Sequence, residues 1–436
     1  MREEAPYGPR LVIARPLTIA IAGLGTVGAG VAKLLRDNAD LIAARAGRPI
    51  VVTAVSSRER HKDRGIATSG MRWYDDPVAL AGDTGVDVVV ETIGGSEGPA
   101  RALVEAALTA GKSVVTANKA LLAVHGAALA RMGGTLAFEA AVAGGIPAIK
   151  AIREGLAANR LSRVAGILNG TCNYILTTMR ERGLQFAEVL NEAQKLGYAE
   201  ADPAFDIDGV DAAHKLAILA ALAFGRPVDL AAVHIEGIRD VSALDISLAE
   251  ELGFRIKLLG IATRSAAGVS TRVHPCMVPK GAAIARVEGV FNAVVAEGDF
   301  CGRVMLEGRG AGAGPTASAV VADLIDIARG RLTPVWGAET LEDVPSLPME
   351  AHVGAYYLRL MVLDRPGVIA DVTGILRDER ISLESMLQRG RAPGEAVPVV
   401  LTTHDCEERQ MRVAITRIAA LETVVEPPAL IRIEAL

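Results

Sequence analysis

The stretch LTIAIAGLGTVG, residues 17–28, restricts the amino-terminal fold more than any other feature of the chain. An apolar run of strand length passes directly into glycines spaced G-x-G-x-x-G, and an Ala-rich helical pattern follows. In a strand–loop–helix unit, Gly23 allows the tight turn, Gly25 lets backbone approach a pyrophosphate, and Gly28 permits close helix–strand packing. Leu24, Thr26 and Val27 complete a loop whose free N–H groups at the helix start favour an anion. Taken alone, an ordinary Gly-rich βα turn would look the same.

The segments that follow decide between these readings. IVVTAVS (50–56), VDVVVET (86–92), SVVTA (113–117) and TLAFEA (135–140) are near-continuous apolar strands. Helical patterns such as GAGVAKLLRDNADLIAARAG and PARALVEAALTAG lie between them. This alternation predicts a parallel sheet covered by helices on both faces. An NAD site usually ends its second strand in Asp or Glu, which holds the ribose 2′-OH. Here the strand runs into Ser56, Ser57 and Arg58, so a 2′-phosphate and NADP(H) are favoured, with Glu59 keeping NAD(H) open.

From about 146 the pattern changes to helices such as FAEVLNEAQKLG mixed with strands such as RVAGIL, GVSTRVHPCMV and NAVVAEG, an α+β arrangement. The run ASAVVADLIDIARG (317–330) predicts a closing helix, and a Pro-rich linker follows. A further module starts near 353 and reads strand, turn, amphipathic helix, strand. With 436 residues and only 3% aromatic content, Ala, Val, Leu and Ile must build several cores. The net charge of −5 is mixed along the chain and excludes a basic nucleic-acid surface. Cys172, Cys276, Cys301 and Cys406 form no CxxC pair and read as reduced thiols. The charged, Pro-broken start lacks a signal peptide, and no apolar run reaches the roughly 18 residues of a membrane span. A soluble, cytoplasmic protein is expected.

The segment GYAEADPAFDIDGVDAAHK (197–215) crowds Glu200, Asp202, Asp206, Asp208 and Asp211 ahead of His214 and Lys215. A calcium loop starting at Asp206 fails, because Gly209 follows Asp208 and breaks the D-x-[DN]-x-[DN]-G pattern, and Ala217 stands at the twelfth position, where Glu is needed. Zinc fails for want of a second His or Cys at ligand spacing. Asp208 or Gly209 can instead cap a helix on which Asp211 and Lys215, four apart, share a face. They form either a surface ion pair or a carboxylate orienting a proton-transferring lysine. The second role requires burial.

GLGTVG, TANKALLA (116–123), GILNGTCNYIL (166–176), KLGYAEADPAFDIDGVDAAHKLAIL (195–219) and GRGAGAGPTASAVVADL (308–324) occur in order. Together they resemble the homoserine dehydrogenase family across residues 17–335. The resemblance implies reversible NAD(P)H-dependent reduction of L-aspartate 4-semialdehyde to L-homoserine, in threonine, methionine and isoleucine biosynthesis. It makes Lys215 the acid/base lysine and Asp211 its carboxylate. Glu200 and Asp206 become the acids on the substrate's amino-acid end, with Asp202 and Asp208 left to cap turns. Lys119 becomes a second cation near nicotinamide and substrate; alone, it would read as a surface lysine at a helix start. In FEAAVAGGIP, Glu139 and the carbonyls of Val142, Gly144 and Ile146 match a sodium-like cation loop, where a Gly-rich hinge is the alternative. Gly312 matches a nicotinamide contact or, equally, a domain crossover.

LRLMVLDRPGVIADVTGILRDERISLESMLQRG, with RQMRVAITRIAAL as a second helix, resembles an ACT domain. It implies an amino-acid effector, such as threonine, or a dimerisation role without ligand. The expected class is therefore α/β. A Rossmann-type domain covers 17–145, completed by helix 317–330, and an α+β substrate and dimerisation domain covers 146–316. A linker (336–352) and a βαββαβ ACT regulatory domain (353–436) follow. A homodimer or homotetramer is expected, and no kinase-like segment precedes residue 17. The competing readings are another amino-acid or aldehyde dehydrogenase, and an ACT sensor with an inactive Rossmann domain.

Overall fold

The computed structural model describes residues 15–331, 333–388 and 394–436. The opening segment, residues 1–14, on which the absence of a signal peptide was read, lies outside them. Two compact units result: Met1–Pro147 with Ala311–Glu339, and Ala148–Gly310 with Thr340–Leu436.

In the first unit, β1 (Leu17–Ala22), β2 (Ile50–Ser56), β3 (Arg72–Tyr74), β4 (Val88–Glu91), β5 (Ser113–Thr116) and β6 (Leu136–Ala137) form a parallel sheet. Their order is β3-β2-β1-β4-β5-β6, which reverses direction between β1 and β4. At that switch point open α/β sheets bind ligands beyond the strands' carboxyl ends. Ile19, Ile21, Val88, Val90 and Val115 pack under Val31 and Leu35 of helix Thr26–Asp37 and Val320 and Leu324 of helix Ala313–Ala328.

Local departures from the sequence reading have identifiable causes. The long helical pattern after the glycine loop breaks at Asn38 (φ −115°, ψ 26°) into Thr26–Asp37 and Ala39–Ala46. The strand expected over 135–140 stops at Ala137. Phe138 turns inward onto Trp336, with ring centroids 5.3 Å apart, and the Glu139 N–H donates to the buried Asp323 carboxylate at 2.8 Å. The helix expected from 317 begins at Ala313. Pro315 is tolerated in its first turn because N–H groups there lack an intrahelical partner.

The second unit carries β7 (Leu161–Ile167), β8 (His234–Ile235), β9 (Phe254–Ser265), β10 (Gly268–Pro279), β11 (Phe291–Gly298) and β12 (Gly302–Arg309). It continues with β13 (Val353–Leu363), β14 (Leu383–Gln388), β15 (Ala396–Thr403), β16 (Cys406–Glu407) and β17 (Ala429–Ile433). Helices Val368–Asp378 and Glu408–Ala419 complete a βαββαβ module with strand order β17-β13-β15-β14. The sequence presents this module as separate, yet β17 pairs in parallel with β10 (Cys276 opposite Arg432), so one sheet runs through both. The linker is also engaged, since the Val269 N–H donates to the Pro345 carbonyl at 2.9 Å and the Leu347 N–H to that of Val269 at 2.8 Å. Extended, proline-rich chain cannot form a helix but can pair along a strand edge.

Buried ion pairs hold this junction. The Arg432 guanidinium, 2% exposed, donates to Glu236 at 2.7 and 3.0 Å and to Glu408 at 2.9 and 2.5 Å. Arg359 grips Asp245 at 2.6 and 3.1 Å, with the Tyr357 hydroxyl donating to the same carboxylate at 3.0 Å. Burial pushes the Glu236 carboxyl up, but hydrogen bonds from His234 and Arg432 outweigh it and leave it well below its ordinary 4.5.

Candidate active site

The nucleotide half is built by the turn between β1 and helix Thr26–Asp37. Gly23 adopts φ +95°, and a Cβ there would lie 2.7 Å from the Thr92 carbonyl oxygen. A Cβ on Gly28 would lie 1.9 Å from the Gly23 oxygen, so the helix can approach its strand only with glycine. Gly25 faces open space. Gly23 is thus required by the turn and Gly28 by the close approach of helix and strand, while Gly25 is unconfined.

Open space beside Gly25 belongs to a cavity of about 790 Å³ within this unit, lined by Gly23, Leu24, Gly25, Thr26, Ser57, Arg58 and the 92–94 loop among others. That volume suits an organic cofactor. Val27 is packed against the core and Gly28 is buried behind the lining. Arg58 is exposed at the rim. Arg64, which sequence reasoning passed over within a charged run, braces the wall: its guanidinium donates to the Leu24 carbonyl at 2.9 Å and the Ser57 hydroxyl at 3.0 Å.

Lys119 and Gly312 are not among the described residues lining this cavity. Gly312 (φ +119°) starts helix Ala313–Ala328, where a Cβ on Gly30 would meet the Ala313 carbonyl at 2.9 Å. Lys119 opens helix Lys119–Leu129 just past β5. A buried network unread in the sequence sets its place. Glu91, 0% exposed, accepts from the Ile93 and Gly94 N–H groups at 2.7 and 2.9 Å and from the Thr116 hydroxyl at 2.5 Å. Asn118 caps the helix through the Leu121 N–H at 3.1 Å and donates to the Gly95 carbonyl at 2.7 Å.

Gly25→Ala should leave thermal stability near that of the parent while raising the KM for the nucleotide. Gly28→Ala should lower the melting temperature itself. Paired melting curves and nucleotide titrations check this, and a Gly25→Ala protein with unchanged nucleotide affinity would contradict it.

The second unit holds the acidic cluster. Helix Val210–Phe224 starts at Gly209 (φ +85°), one of the two caps expected, and its residues are buried on nearly every face. Asp211 (4% exposed) and Lys215 (9%) are therefore interior, which removes the surface-pair reading. The Lys215 Nζ donates to Asp211 Oδ2 and to the Leu168 carbonyl, each at 2.7 Å. Asn169 Nδ2 donates to both Asp206 Oδ1 and Asp211 Oδ2, each at 2.8 Å. The Thr171 hydroxyl donates to the Tyr198 carbonyl at 2.7 Å, tying in the loop on which Glu200 is exposed. Asp202 caps the Ala204 N–H at 3.1 Å, and Asp208 pairs with Arg239.

Burial pushes the Cys172 thiol well up, and the charges of Asp206 and Asp211 push it further, so it remains a protonated thiol. A thiolate-dependent aldehyde dehydrogenase finds no nucleophile here. Among the described residues, one cluster brings three side chains of metal-ligand character within 4.8 Å of one another, the buried His274, Cys276 and Glu434. Its carboxylate is taken by Arg272 and Arg163, both at 2.6 Å, which leaves no unbalanced negative charge for a cation. No helix among the described residues is long and apolar enough to cross a membrane.

Comparison with known proteins agrees with this geometry. The family described as homoserine dehydrogenase matches residues 147–325, its NAD-binding domain residues 23–135, and the ACT domain residues 356–423. Homoserine dehydrogenase of Neisseria gonorrhoeae is 46% identical, covering 97% of this chain and 99% of that protein. That of Pseudomonas aeruginosa is 47% identical, covering 97% and 100%. The crystal structure of a homoserine dehydrogenase from Thiobacillus denitrificans, 48% identical, superposes with a TM-score of 0.91 over 97% of this chain and 99% of that one. A hyperthermophilic archaeal homoserine dehydrogenase in complex with NADPH, 26% identical, covers 71% of this chain and 97% of its own with a TM-score of 0.62. A nicotinamide-nucleotide oxidoreductase with an ACT module, this chain belongs to the homoserine dehydrogenase family.

Proposed function

We propose that the chain catalyses the reversible NAD(P)H-dependent reduction of L-aspartate 4-semialdehyde to L-homoserine, serving threonine, methionine and isoleucine synthesis in the cytoplasm. The observation that carries this reading is a buried lysine held by one carboxylate and one carbonyl beside a second acid. Among the described residues, Leu168 and Asp211 engage two of the three N–H bonds an ammonium offers, which leaves the third for a substrate oxygen. When bound, the reduced nicotinamide supplies the hydride. As negative charge develops on the aldehyde oxygen, Lys215 stabilises it and delivers the proton, the larger contribution being electrostatic. Asp206 and Glu200 hold the substrate ammonium, and Lys119 is assigned the second cationic role.

The cofactor is held by the backbone of Gly23 to Gly28, with Gly312 assigned to its nicotinamide end. NADP(H) is favoured because Arg58, two residues past the end of β2 and without a preceding acid, lines the cavity; Glu59 lines the same cavity and leaves NAD(H) usable. The reading includes a sodium-like cation at Glu139, Val142, Gly144 and Ile146. Buried Glu139, Val142 and Ile146 supply oxygen donors suited to a hard ion, and Ala143 (φ 55°) and Gly144 (φ 47°) coil the chain between them. An amino-acid effector at the ACT module and assembly as a homodimer or homotetramer complete it. Oxidation of NADPH on adding aspartate 4-semialdehyde, faster than that of NADH at equal concentration, is the expected result. A folded protein inert with both cofactors would favour the ACT-sensor reading.

A further inference from the structure

We propose that Asn169 is a positioning residue that fixes the substrate-binding acid Asp206 relative to the Lys215–Asp211 pair; this rests on the reading of those residues given above. Strand β7 ends at Ile167, and the next two residues hold the whole cluster. Leu168 offers its carbonyl to the Lys215 Nζ at 2.7 Å. Asn169 uses both amide N–H groups and its amide oxygen. Its Oδ1 accepts the Cys172 N–H at 2.8 Å, capping helix Gly170–Arg182, while Nδ2 donates to Asp206 and Asp211 at 2.8 Å each.

The orientation of this amide is not ambiguous. Its oxygen must face a backbone donor, and the nitrogen must face carboxylates that only accept. At 4% exposure the residue has little water to substitute for either contact. Two carboxylates drawn to one NH₂ group would otherwise repel each other, and Asp206 would lose this tie to the Asp211–Lys215 pair. The side chain must therefore accept from a helix N-terminus and give two hydrogen bonds to anions. Ser and Asp cap helices about as well as Asn. A serine hydroxyl has one proton to give, however, and an ionised aspartate has none. The requirement for asparagine lies in the cluster and not in the helix.

This separates the role from simple capping. Asn169→Ser retains a cap without adding a charge and should melt close to the parent; Asn169→Asp retains a cap but should melt lower, and both should bind NADPH with unchanged affinity. Both should lose kcat/KM for aspartate 4-semialdehyde by on the order of 10²-fold, the scale of a small misplacement of reacting groups. The loss should divide between a higher substrate KM, through Asp206, and a lower kcat, through Asp211 and Lys215. The aspartate variant should be the more impaired, because a third carboxylate joins the two. Should one variant fail to fold, the other still gives the comparison. An active parent with a fully active serine variant would overturn the proposal alone. A folded parent without turnover would overturn the underlying reading and this proposal with it.

Discussion

Replacing Lys215 with alanine is expected to lower kcat by at least about 10²-fold, the usual contribution of a positioned proton donor. The side chain is buried and donates to two oxygen acceptors on the same unit, the Leu168 carbonyl and the Asp211 carboxylate. On the proposed reading, truncation therefore removes the positive charge that meets the developing alkoxide. The nucleotide cavity is lined by residues of the other unit, so NADPH affinity should not change and serves as the folding control. Lys215→Arg should not restore activity, because a planar guanidinium cannot reproduce the point contact of an ammonium. Turnover surviving in Lys215→Ala would reduce the pair to a structural contact and move the test to Lys119.

The second large effect is on stability. Arg432→Met should cost about 3–5 kcal/mol in denaturant unfolding, the range for removing one partner of a buried ion pair. The reason is what remains. Glu236 and Glu408 would lose the guanidinium that now takes four of their hydrogen bonds, with the more exposed Arg412 left beside both. Adding Glu236→Gln and Glu408→Gln should recover a large part of the loss, since neutral side chains leave no uncompensated charge. Both carboxyls are held below their ordinary value of 4.5 after burial, the largest influence, is outweighed by Arg432 and, for Glu236, by His234. A carboxyl depressed in the folded state contributes stability present above its unfolded value and lost as pH falls through its folded value. The parent should therefore weaken below about pH 4.5 more steeply than the triple variant. An Arg432→Met protein as stable as the parent would contradict this account of the junction.

What could be read in the sequence was governed by local spacing. Gly23, Gly25 and Gly28 announce themselves because their roles are backbone roles fixed by a strand–turn–helix context, and β1, β2, β4 and β5 announce themselves as unbroken apolar runs. Burial of Lys215 was legible only in part, from the apolar residues of its helix. Ala212, Ala213, Leu216, Ala217 and Ile218 leave Asp211 and Lys215 no solvated face. The double duty of Asn169 was not, because a capping asparagine looks the same whatever its nitrogen touches. Nor was the junction, since Glu236 and Arg432 lie 196 residues apart and pair only once β10 and β17 are side by side. Phe138 ends its strand for a similar reason, its partner Trp336 lying in a segment that reads only as linker.

Hydride transfer to the aldehyde carbon is the central claim, and isotope transfer tests it most directly. NADPH carrying deuterium at both hydrogens of nicotinamide C4 would be incubated with L-aspartate 4-semialdehyde and the protein, and the product analysed by mass spectrometry. The account predicts L-homoserine bearing one deuterium on its hydroxymethyl carbon. Homoserine without deuterium, or no homoserine from folded protein, would contradict it.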